Sequence, residues 1–135
     1  DSDAIPALKS AMENAGVEER EKVVRAFASI GVEARPHLIE ALSDDSKVVQ
    51  LAALQGLTLD TSETLMLRLI EMAENPDPDV RLAAVDAMQR FSDGRVVAPL
   101  AAALEDDDAR ISRQARRSLD HLESVVARKG TGSDQ

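Results

Sequence analysis

Two histidines, His37 and His121, are the side chains best suited to proton transfer or metal binding near neutral pH. Glu33 and Glu40 stand at helical spacing on either side of His37, so the three form a conceivable weak metal grip. A solvated histidine is the plainer reading, because His121 lies far along the chain and there is no cysteine to add a thiolate. Ser118 and His121 share a helix, yet nothing resembles a nucleophile elbow or an oxyanion hole. No glycine-rich phosphate loop is present either. These residues predict no catalytic group, no metal site and no cofactor, and hence a protein that is not an enzyme.

Acidic residues gather at three places: Asp44 and Asp45, Asp77 and Asp79, and Asp106, Asp107 and Asp108. A ridge of this kind suits a cation or a basic peptide. Capping of helix starts explains the same residues, and the spaced Asp-x-Asp-x-Asp-Gly pattern of a calcium loop is absent. Arg110, Arg113, Arg116 and Arg117 follow, with Arg110, Arg113 and Arg117 on one helical face. That face is either an anion patch or a solvated stripe, and a chain with no Trp and no Tyr has little to stack on a flipped base.

The elements that position these residues are helices. Asp77-Pro78-Asp79 is a helix start: Asp77 caps, Pro78 suits the first turn, and Asp79 meets the positive dipole end. Val80, Ala84, Ala87, Met88 and Phe91 then fall on one stripe. Ser92-Asp93-Gly94 breaks the helix, and Val97, Leu100 and Leu104 define the inner face of a second one. Upstream, Val23, Phe27 and Ile30 form a stripe that Gly31 ends, and Ile5, Leu8 and Met12 form another. Residues 108–128 read as one longer helix carrying Leu119, Leu122, Val125 and Val126. That apolar set is either covered by the helix's own packing or open to another chain.

The unit repeats. Val80-Arg81-Leu82-Ala83-Ala84 matches Val49-Gln50-Leu51-Ala52-Ala53 before it and Ile111-Ser112-Arg113-Gln114-Ala115 after it, at a step of about 31 residues. Ala87 maps to Gly56 and Ser118. The second helices align as 5–12, 35–42, 66–73 and 97–104. The Asp-Pro-Asp-Val-Arg at 77–81 and the Ala34-Arg35-Pro36-His37-Leu38-Ile39-Glu40-Ala41-Leu42 run resemble the two helices of a HEAT-like repeat. The short-period kind found in the phycobilin lyase class is the most similar. The resemblance covers about residues 4–127. It implies an all-α fold, a right-handed α-α superhelix of about four repeats with half-repeats at both ends. It also implies that the second helices line a concave groove, where Glu33, His37, Glu40, Arg68 and Glu71 would sit together against a partner. The iron-binding His-Glu pairs of HEAT-like hydroxylases are not reproduced, since His121-Leu122-Glu123 departs from them.

The domain is expected to span residues 1–127, with residues 128–135 a disordered polar tail. A net charge of −9 argues against nucleic acid or an anionic membrane as the partner, and favours a basic protein or peptide. Absent a signal peptide or a long apolar run, a cytoplasmic location is expected. The leading function is a non-catalytic protein–protein interaction scaffold. A subunit or chaperone of a phycobilin lyase-type system is one alternative, weakened by the lack of Tyr, Trp and Cys. A structural domain of a larger protein, self-associating through its terminal helix, is the other.

Overall fold

The computed structural model describes residues 2–133, with side chains placed from Asp3 to Arg128. Its helices are α1 (Ile5–Met12), α2 (Val17–Ile30), α3 (Arg35–Ala41), α4 (Lys47–Gln55), α5 (Glu63–Met72), α6 (Pro78–Ala87), α7 (Val97–Ala103) and α8 (Ala109–Ser133). No strand occurs among the described residues. The chain divides into two compact units, Asp1–Asp60 and Thr61–Gln135, each holding four of these helices. The last helix continues past the expected end at Arg128 to Ser133. Of the expected tail, residues 134 and 135 lie outside the described residues.

In the first unit α2 is central and packs against α1, α3 and α4. Its stripe buries Val23, Val24 and Phe27, and the segments that follow add buried Leu38, Leu42, Val49 and Ala53. The helix stops at Gly31, whose φ of 100° is open to glycine and costly for any other residue. Pro36 suits the first turn of α3, and the Ser46 hydroxyl accepts from the Val48 amide to cap α4. Gly56 is there because its neighbours come very close. A Cβ on it would lie 2.8 Å from the Ala28 Cβ and 3.3 Å from Leu38.

In the second unit α6 packs against α5 and α8, and α8 also covers α7. The expected stripe is buried throughout: Val80, Ala84, Ala87, Met88 and Phe91. Asp77 caps α6 as expected, its carboxylate accepting from the Asp79 amide at 2.8 Å. One expectation fails. Val97 is 44% exposed, and Val96 takes the inward position. Val96, Leu100 and Ala103 are spaced i, i+4, i+7 and form the buried stripe, with Val96 at the place of the buried Leu65 one repeat earlier; a 3-10 turn over Gly94–Val96 leads into α7. The turn starts where Asp93 accepts from the Arg95 amide at 2.8 Å.

Two polar side chains, Gln114 and Ser118, are buried on α8. Gln114 Nε2 donates to Gln89 Oε1 at 3.1 Å and to Ser118 Oγ at 3.3 Å, while its Oε1 accepts from Arg117 at 2.7 Å. The amide is therefore satisfied on both sides, as a buried polar group must be. Leu122 is buried, Leu119 and Val125 are half-buried, and Val126 stays exposed.

Candidate functional site

Each unit carries a cleft between its second helices. In the first unit α1, α2 and α3 enclose about 340 Å³, with Lys9, Glu13, Arg20, Phe27, His37 and Glu40 among the lining. In the second unit α5 and α7 flank about 350 Å³, with Ile70, Glu74, Pro99, Ala102 and Asp106 among the lining. The two clefts occupy the same place in the repeat. Lys9 corresponds to Ile70, Glu13 to Glu74, His37 to Pro99, Glu40 to Ala102 and Asp44 to Asp106. One architecture is thus decorated twice, the acids Glu13 and Asp44 recurring as Glu74 and Asp106 while Lys9, His37 and Glu40 give way to Ile70, Pro99 and Ala102.

The stack of His37 on Phe27 is the feature of the first cleft that sequence reasoning missed. The imidazole lies on the Phe27 ring, with centroids 4.9 Å apart and planes at 15°. The stack ties α3 to α2 and leaves the half-buried imidazole as the upper surface of a two-ring layer whose lower ring is fully covered. Glu33, in the turn before α3, and Glu40, on α3, are both exposed. On α5, Arg68 is half-buried with its Nε 3.8 Å from the exposed Glu71. The structure therefore places Glu33, His37 and Glu40 on the first unit, and Arg68 and Glu71 on the second.

The acidic loop residues are mostly engaged. Arg20 makes a two-pronged contact with Asp44, at 2.9 and 3.0 Å, and also donates to the Ala15 carbonyl. Arg81 repeats the device. It reaches Asp106 at 2.9 and 3.2 Å and donates to the carbonyls of Asn75 and Pro76. Each arginine thereby braces the start of a first helix against the loop that follows the next one. Burial pushes the Asp44 carboxyl up, but the Arg20 and Ser46 donors outweigh it and hold its pKa below the ordinary value. The Asp106 carboxyl is lowered by the Arg81 hydrogen bonds, against the pull of burial. Asp79 meets Arg110 at 3.1 Å, and Asp77 is spent on its cap. Asp45 and Asp107 are exposed.

The brace had a signal in the sequence. At the positions of Arg20 and Arg81 the intervening repeat has Gln50, and at those of Asp44 and Asp106 it has Asn75. Charged partners change to neutral ones together. A further charged pocket of about 360 Å³ lies beside Glu63, Phe91, Asp93 and Arg95. There Arg95 bridges Glu63 and Asp93, each at 2.8 Å, and its hydrogen bonds hold the Asp93 carboxyl down to about 2.

Of the basic stripe on α8, Arg110 is bound to Asp108 and Asp79 and Arg117 to Gln114, while Arg113 and Arg116 are exposed. Arg35 Nε lies 3.2 Å from Oδ2 of Asp60, a buried carboxylate. Among the described residues no group of three or more His, Cys, Asp or Glu side chains is placed to hold a metal ion. No described helix is long and apolar enough to cross a membrane.

Antiparallel helix pairs, a fixed repeat step and a recurring cleft between second helices define the repeat class. A family model of HEAT repeats matches residues 35–120. The chain belongs to the HEAT repeat family. A second model, the PBS lyase HEAT-like repeat, matches residues 19–44, which run from the start of α2 to the end of the α3 turn. A search of curated proteins finds no match to the chain. The HEAT fold is an all-α helical repeat scaffold, generally non-catalytic and commonly used for protein interaction.

Proposed function

We propose that this HEAT repeat protein is a non-catalytic scaffold that binds a segment of a partner protein along its second helices. The observation that carries this reading is the recurring cleft. The same place in the repeat is open in both units and lined by different chemistry in each. A concave, already formed opening at the same place in each repeat is what a repeat scaffold offers to a partner's side chains. Glu33, His37 and Glu40 of the first unit and Arg68 and Glu71 of the second are the side chains we assign to the partner. The acid-rich first strip suits a basic segment, and a net charge of −9 favours its approach. Because each cleft is already formed, little binding free energy is lost to ordering. The test is capture of the partner from a native lysate by wild type and by Glu40→Lys/Glu71→Lys. Loss in the variant supports the reading, and retention moves the site elsewhere.

The match at residues 19–44 favours one other reading, a chaperone or subunit in bilin attachment. Mixing the protein with free bilin and recording the visible spectrum decides it. A shifted and intensified band supports that reading, and an unchanged spectrum ends it.

A further inference from the structure

The first-unit cleft has a more specific chemistry than a general partner surface. We propose that it receives a single arginine side chain of the partner segment, with the guanidinium laid on the His37 imidazole and its edge turned to Glu13 and Glu40. This rests on the reading of the second helices as the partner face.

Three observations converge on an arginine. First, the Phe27–His37 layer is a flat surface with one ring fully buried behind the other, and a planar guanidinium stacks on such a surface better than a compact ammonium does. Second, the two exposed carboxylates of the lining come from opposite walls, Glu13 at the end of α1 and Glu40 on α3. A guanidinium has donors on several edges and can serve both walls at once. Third, the cation already in the lining does not oppose a second one strongly, because Arg20 is held in its two-pronged contact with Asp44. The remaining lining cation, Lys9, stands on α1 one turn before Glu13 and weakens the attraction without cancelling it. At the equivalent place in the second unit, Pro99 and Ala102 replace His37 and Glu40, so that cleft lacks both the imidazole and its acid.

The test uses the isotope-labelled full chain, titrated with a blocked Gly-Ser-Arg-Ser-Gly peptide and with the same peptide carrying citrulline, the neutral isostere of arginine. The amide signals of Lys9, Met12, Glu13, His37 and Glu40 should move together and saturate with the arginine peptide. The citrulline peptide should bind about threefold to fivefold more weakly, the upper part of the range for one partly screened charge contact. Glu40→Gln should weaken the arginine peptide by about threefold to fivefold, and Lys9→Ala should tighten it by about twofold. Both positions are exposed, so neither change threatens the fold, and damage to folding cannot produce effects of opposite sign. Scattered or absent shifts, equal binding of the citrulline peptide, or effects of the same sign in the two variants would overturn the assignment. If the peptide fails while Glu40→Lys/Glu71→Lys still loses the captured partner, only the arginine assignment falls. If that variant keeps the partner, the second-helix face falls with it.

Discussion

Replacing Arg81 by Ala removes four hydrogen bonds at once. Two go to Asp106, at 2.9 and 3.2 Å, and two to the carbonyls of Asn75 and Pro76, at 2.9 and 3.0 Å. The Asp106 side chain is only 11% exposed, so it is left partly desolvated, with the Asp108 amide still donating to it. An exposed ion pair contributes about 0–1 kcal/mol, while hydrogen bonds to a charged, partly buried group contribute about 1.5–3 kcal/mol. With Arg81 itself 20% exposed, a loss of about 2 kcal/mol is expected. For a chain of this length that lowers Tm by about 8 °C. Calorimetry or circular dichroism on wild type, Arg81→Ala, Asp106→Asn and the double variant measures it. The two single losses should together exceed the loss of the double variant, because they remove the same contact. Arg95→Ala is the control. The Arg95 side chain is 51% exposed and its partners Glu63 and Asp93 are 66% and 37% exposed, so the Tm of this variant should fall by no more than about 4 °C. If Arg81→Ala behaves like Arg95→Ala, the brace is a surface ornament and the account of it is wrong.

Other outcomes follow from the same contacts. The carboxyl pKa values of Asp44 and Asp106 are lowered on folding, so their contribution is complete above the unfolded carboxylate range and disappears as pH falls through the folded values. Urea midpoints should therefore drop on acidification below about pH 4, and drop less in Arg20→Ala/Arg81→Ala. Gly56→Ala should destabilise the chain although the backbone at this helix end suits alanine, because the new methyl meets the Ala28 Cβ at 2.8 Å; adding Ala28→Gly should recover part of the loss in thermal melts. Val96→Ala should cost about 1–3 kcal/mol and Val97→Ala less than about 0.5 kcal/mol in chemical denaturation, reversing the order that the helical stripe alone implies.

Much of the fold was legible because it depends on spacing within a helix. Val80, Ala84, Met88 and Phe91 sit one turn apart, and the register that aligned them also aligned Gly56, where the neighbouring helix comes close, with the buried Ala87 and Ser118. The Asp77 cap was legible for the same local reason. Val97 was misplaced because Val96 and Val97 both lie within a turn of Leu100, and only packing decides which of two adjacent valines turns inward. The Arg20 and Arg81 braces and the Phe27–His37 stack join residues on different helices. Their partners are fixed by packing, not by spacing, although Gln50 and Asn75 marked the brace in the intervening repeat. The acidic loops looked like one ridge, and the arginines that neutralise Asp44, Asp79 and Asp106 became visible only in three dimensions.

The central claim is that the second-helix face binds a partner. Affinity capture from a native lysate tests it most directly, with wild type, Glu40→Lys/Glu71→Lys and the α8 control Glu123→Lys as baits. All three positions are exposed, so each bait should fold. The account predicts a partner held by wild type and by Glu123→Lys and lost by Glu40→Lys/Glu71→Lys. A partner held equally by all three baits would contradict it.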